Sequence, residues 1–240
     1  VTLERKGLIP RLHFRKTYMG PNKNGPRDSA IHRLLFRSSD GTKLAEIWSA
    51  AVHPTAFPNT DQISADFVGE IRKSIRQREI ADLPVLFLQG LSGDARPFCH
   101  RDRLRVRELL TGRRFRKFSY AGYLDWCEDL ATSLFSTSTV SHTRNVQVSH
   151  SRTRLDKDKL FDSRVGPHYD WIQLVQFDQL VLVGLPAEVC VGYAKSLDNI
   201  ASKNGVLAIP ATCLNHVWGY VPTSQMLREG GYEAEGFMPS

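Results

Sequence analysis

The chain has 240 residues, 41% of them hydrophobic and 24% charged, with a formal net charge of +7 at pH 7. That length and apolar fraction suffice for a buried core and exclude a low-complexity polymer, and no run of about 18 apolar residues suggests a membrane-spanning helix. The opening residues, VTLERKGLIPRLHFRK, carry neither the apolar region nor the cleavage pattern of a signal peptide; without a starting Met, the sequence is expected to lack residues upstream.

Residues 31–37 and 43–52 are strand-like runs joined by an Asp40-Gly41 pair suited to a hairpin, and the second run leads into His53 at a strand end. After a loop rich in Pro and Asn, Ile63, Phe67, Val68, Ile71 and Ile75 have the spacing of one helical face. Pro84 to Gly90 predicts a buried strand, completing a β-α-β unit. Residues 98–135 are predicted to be mainly helical, with Leu124, Cys127, Leu130, Ala131 and Leu134 forming an amphipathic face.

Arginines crowd the start of that stretch, from Arg101 to Lys117. The apolar Leu104, Val106, Leu109 and Leu110 between them make a core-facing stripe, which leaves the arginines solvated and argues against a nucleic-acid partner. Residues 138–165, polar and rich in β-branched side chains, predict an extended excursion. Two strand-like runs around Asp178, a helix from Ala187 to Ser202 and a strand at 206–210 form a second strand–helix–strand unit. With no repeat and no linker, residues 1–240 are expected to be a single α/β domain built on a mixed sheet. Cys99, Cys127, Cys190 and Cys213 form no CxxC pair and are expected to be free thiols.

Loops at strand ends hold polar groups that a core does not require. His53 precedes Pro54, which holds its backbone extended and aims the imidazole out of the strand; neutral imidazole is a good zinc ligand as well as a common structural group. In QGLSGDARP, Gln89 to Pro97, glycines after a buried strand allow close backbone approach, and Asp94 can either orient a metal-bound imidazole or cap the next segment. In LPAEVC, Glu188 follows an apolar strand at the start of the predicted helix, where it serves either the helix dipole or a metal. Thr223 or Ser224 can cap a short helix through Glu229 that Gly230 and Gly231 end, which places Tyr220 and Tyr232 at opposite ends of about two turns, with both phenols able to face one pocket.

From about Ala51 to Phe237 these segments resemble the neutral/alkaline ceramidase family of zinc-dependent amidases. The resemblance is carried in order by His53-Pro54-Thr55, Ser64-Ala65-Asp66, Gly93-Asp94 with Pro97, Leu185-Pro186 with Glu188, Gly219-Tyr220 with Thr223, and Gly231-Tyr232-Glu233. It implies a ceramidase catalytic-domain fold and hydrolysis of an N-acyl amide, such as ceramide to sphingosine and fatty acid. It further implies Zn2+ as cofactor, held by His53, Glu188 and Tyr220, with Asp94 in support and Tyr232 beside the substrate amide.

The sequence departs from the family at two points. An earlier histidine ligand has no counterpart, since His13 and His32 stand in other contexts, so either that ligand lies upstream or the chain is a non-catalytic ceramidase-like scaffold or binding module. Arg96 stands where the family carries a serine near the zinc, which implies a different pocket and a more polar or acidic acyl substrate.

Overall fold

The computed structural model describes residues 22, 24–79, 82–98, 118–136, 146–156 and 169–235. Strands β1 (Ile31–Arg37) and β2 (Lys43–Ala50) pair antiparallel from Ile31 opposite Ala50 to Arg37 opposite Lys43. The predicted turn closes them: Gly41 takes a φ of 88°, and the Asp40 carboxylate accepts the Thr42 N–H at 3.0 Å. Helix α1 (Asp66–Arg78) then crosses to β3 (Val85–Gln89), which pairs parallel with β2 and gives the sheet order β1-β2-β3.

The second unit repeats the device. Strands β4 (Val148–Asp156), β5 (Tyr169–Phe177) and β6 (Leu180–Gly184) form an antiparallel meander, with Asp178 at a φ of 51° in the β5–β6 turn. Helix α3 (Ala194–Lys203), numbered after α2 (Tyr120–Phe135), carries the chain to β8 (Leu207–Ala211), parallel to β6. A short parallel ribbon joins β7 (Glu188–Val189) to β9 (Tyr220–Val221), and helices α4 (Ser224–Glu229) and α5 (Tyr232–Glu235) follow. The architecture is thus α/β, with two mixed sheets where one was expected. They meet where Thr212, just beyond β8, donates its N–H to Gln89 O at 2.7 Å and its hydroxyl to Gly90 O at 2.8 Å.

The main core lies between the first sheet and helices α1 and α2. Trp48 is fully buried with its ring 4.4 Å from Phe87 and 6.2 Å from Phe67, and Phe67 in turn meets Trp126 at 5.4 Å. Several sequence expectations are corrected here. Ile63 is fully exposed, because α1 begins only at Asp66 and the helical spacing does not extend back to it. In α2 the buried stripe is Tyr123, Cys127, Ala131 and Leu134; Leu124 lies one residue, about 100° of helical turn, round from that stripe and is exposed.

The helix expected from Ala187 starts instead at Ala194, after a 3-10 turn at Val191–Tyr193. Val189 and Val191 are β-branched and resist helix, and the local N–H groups are already taken: Glu188 donates to Gly219 O at 2.8 Å and Cys190 to Val221 O at 3.2 Å. Of the excursion predicted over 138–165, the described part is β4; of the helical stretch over 98–135, it is α2. The arginine-rich stretch from 101 to 117 and Cys99 lie outside the described residues, while Cys127, Cys190 and Cys213 are free thiols.

One charged group sits within this core. Glu46 is 0% exposed and receives Arg33 through two hydrogen bonds, Nε at 2.7 Å and Nη2 at 2.9 Å, while Glu79 ties Arg33 and Lys43 together beside it. Removing one partner of such a pair strands the other in a medium that solvates it poorly. Glu46→Ala is expected to lower unfolding free energy by about 3–5 kcal/mol, whereas replacing Arg33 and Glu46 together by Met and Leu recovers most of that loss; urea midpoints of the two variants check it.

Candidate functional site

The site is assembled from loops at the ends of β2 and β3 and from the β7–β9 ribbon. Beyond β2 the chain turns at Ala51, and Gly90 lies against it so closely that a Cβ there would meet Ala51 N at 3.0 Å. His53 donates its N–H to Ala95 O at 2.9 Å, which fixes the histidine to the loop that follows β3. In that loop Gly93 donates to Val189 O at 2.9 Å, and an added Cβ would meet Glu188 O at 2.5 Å. Only a glycine at 93 lets the loop rest on β7, so this position joins the two units at the site.

Across that junction His53 meets Glu188. The imidazole Nδ1 forms a short hydrogen bond with Ser92 O, and Nε2 lies 2.8 Å from Glu188 Oε2. A carbonyl and a carboxylate are both acceptors, so the single proton of a neutral ring satisfies one of them and leaves the other contact to be bridged by a further proton or a cation. The side chains are 18% and 22% exposed, open enough for exchange with solvent.

Tyr220 is the register partner of Glu188 in the ribbon. Burial, followed by the negative charge of Glu188, pushes its phenol pKa up. The Tyr220 and Tyr232 rings stand 5.6 Å apart, edge to face, with Tyr232 more than half exposed. The expected spacer is present: Thr223 Oγ1 accepts the Met226 N–H at 3.2 Å to start α4, and Gly230 at a φ of 74° ends it. His53, Glu188, Tyr220 and Tyr232 are thus brought to one place in the fold.

Asp94 has a different partner from the one that would make it a support for the imidazole. Its Oδ1 accepts the Val191 N–H at 2.7 Å, which caps the 3-10 turn after Glu188 and so steadies the ribbon. Burial, then the Asp94 carboxylate, pushes the Cys190 thiol up. Arg96, in the same loop, is exposed. Ser92 was not legible as a site residue, because it contributes a backbone carbonyl; its own hydroxyl is buried with no hydrogen-bond partner among the described residues.

One imidazole, one carboxylate and one phenol make a nitrogen and oxygen donor set of the kind zinc accepts, and Ser92 O on Nδ1 is the outer contact that fixes a metal-binding histidine. Two ligands on a tetrahedral zinc stand about 3.4 Å apart, so the His53–Glu188 contact must open by roughly half an ångström to admit the ion. The residues fit the metal on that condition. Among the described residues, no group of three or more His, Cys, Asp or Glu side chains is placed to hold one.

The reverse face of the ribbon is apolar. Val189 and Val221 alternate with Glu188 and Tyr220 and line a cavity of about 330 Å³ whose other walls include Leu91, Ile172, Leu197 and Trp218. The described residues include no helix long and apolar enough to cross a membrane.

No protein-family model and no curated protein matches the sequence. Solved structures share the fold: the crystal structure of neutral ceramidase from Pseudomonas aeruginosa superposes with a TM-score of 0.64 at 14% identity, over 88% of this chain and 43% of that one. A ceramidase complexed with C2 gives a TM-score of 0.63 at 13% identity, over 88% of this chain and 45% of that one. The chain spans less than half the length of these neighbours, and at such identity the likeness is one of fold.

The packing at Gly93 is directly testable. Gly93→Ala is expected to push the loop off β7, cost about 1–3 kcal/mol in unfolding free energy and separate His53 from Glu188. Urea denaturation reads the first effect and the His53 ring resonances the second; an unchanged ring spectrum would refute the coupling.

Proposed function

We propose that the chain is a zinc-dependent hydrolase of an N-acyl amide bond, acting on ceramide or a related lipid acyl amide. The observation that carries this reading is the 2.8 Å contact between His53 Nε2 and Glu188, with Tyr220 beside it, on a fold shared with ceramidases. His53, Glu188 and Tyr220 hold the metal, and Ser92 O keeps the imidazole proton on Nδ1 so that the Nε2 lone pair is free. A bound Zn2+ supplies a water with its pKa lowered to about 7 and a Lewis acid for the carbonyl.

The remaining roles belong to the chain. Tyr232, half exposed beside Tyr220, hydrogen-bonds the carbonyl oxygen as negative charge develops on it. Asp94 keeps the ribbon in place through Val191 and acts at a distance from the substrate. Arg96, exposed in the loop that carries Ser92, gives the entrance a permanent positive charge and favours an acyl group with polar or acidic character. The whole chain serves as one ceramidase-like catalytic domain.

A second reading, a ceramidase-like scaffold that binds an apolar ligand without hydrolysing it, draws on the apolar cavity behind the ribbon and on the small donor set. Elemental analysis and amide hydrolysis separate the two. The catalytic reading expects stoichiometric zinc, lost in Glu188→Ala together with chelator-sensitive hydrolysis. Glu188→Ala that keeps its zinc refutes the ligand assignment, and a wild type that stays zinc-free and leaves N-acyl substrates intact even with the residues upstream of Val1 included selects the scaffold. Tyr232→Phe is expected to keep its zinc and lose on the order of 10²–10³ in rate, measured as kcat on a fluorogenic acyl amide.

A further inference from the structure

Asp66 is a non-glycine residue at a φ of 50°, in the left-handed region that such residues rarely occupy. A conformation of that kind persists when its surroundings hold it there, and it is often found where a site is being shaped. Here the surroundings are plain. Asp66 Oδ2 accepts the Phe57 N–H at 2.9 Å, while Oδ1 accepts the N–H groups of Ala56 at 3.2 Å and Phe67 at 2.6 Å. Its own N–H is bound by Ser64 Oγ at 2.9 Å.

Asp66 thus does two things at once: it starts α1, and it grips the far end of the loop that His53 begins. The near end is held by His53 N–H on Ala95 O at 2.9 Å. Phe57, the residue gripped, packs its ring edge to face against buried Tyr123 at 5.5 Å and against Tyr120 at 6.5 Å. With both ends fixed and the Thr55 N–H closing a tight turn over Pro54 onto His53 O at 2.8 Å, the imidazole has little freedom to leave Ser92 O and Glu188.

We infer that Asp66 is a positioning residue for His53, acting through the backbone of the loop from His53 to Phe57 and touching neither the imidazole nor any ligand. The inference rests on the proposed role of His53 for its functional meaning, but its geometric content can be read in metal-free protein. Asp66→Asn is the informative change, because Asn adopts the left-handed conformation about as readily as Asp while losing one of the carboxylate's acceptor oxygens. Ser64→Ala is the control: it removes the contact on Asp66 N–H and weakens the start of α1 without freeing the loop.

The readouts are the ring nitrogen resonances of His53 in metal-free protein, amide exchange at Ala56 and Phe57, and zinc affinity. In wild type and Ser64→Ala, Nδ1 is expected to be protonated in a single ring state. In Asp66→Asn the ring is expected to populate more than one state, exchange at both amides to speed up, and zinc to bind about 10–100-fold more weakly. If Asp66→Asn does not fold, Asp66→Gly, in which the left-handed backbone is unstrained, is put through the same measurements. A ring spectrum and zinc affinity unchanged from wild type would overturn the role of Asp66 and leave the zinc reading intact. A ring that responds in a protein with no zinc affinity would support Asp66 and overturn the zinc reading alone.

Discussion

The contact of Gly93 with β7 is the constraint on which the site depends. The hairpin and first crossover bring β3 out beside β2, and the second crossover brings β8 out beside β6, but neither unit alone contains both His53 and the Glu188 carboxylate. They are brought together by backbone lying on backbone, with Gly93 N–H on Val189 O and no room for a side chain between. Thr212 reinforces the junction by bonding to the end of β3 with both its N–H and its hydroxyl. Side chains specify the chemistry, yet a missing side chain lets them meet.

The electrostatics of the pair follow from that forced approach. In the core, Glu46 is matched by a guanidinium that satisfies both its oxygens, and the arrangement is closed. At the site, His53 faces acceptors on both nitrogens, and a neutral ring has one proton to give them. The difference between a structural ion pair and a candidate centre is a contact left without its own proton, together with partial access to water.

Much of this was written locally. Asp40-Gly41 specified the first hairpin, period-3.6 spacing at Phe67, Ile71 and Ile75 specified α1, and Thr223 with Gly230 marked the two ends of the spacer that separates Tyr220 from Tyr232. What was not legible depended on partners far away in sequence. Glu188 looked like a helix start because its strand partner, Tyr220, lies in a different segment and contributes the pairing that makes β7. Ser92 acts through a carbonyl, a group every residue has, and Asp94 caps a turn 97 residues distant. The choice of Tyr123 over Leu124 for the core is a matter of helical phase within an apolar cluster, which packing decides and composition does not.

The separation of 135 residues between His53 and Glu188 carries a consequence for how the molecule folds. Each sheet can form from contacts within its own half of the chain, whereas the site requires long loops to close, so much of the entropy of closure falls on the contacts that make the centre. Those contacts should form late and open early, ahead of the buried layer around Trp48. A group that bridges His53 and Glu188 would then act as a clasp on the most labile seam of the fold, and its occupancy would be felt first as slower opening between two halves that are individually well built.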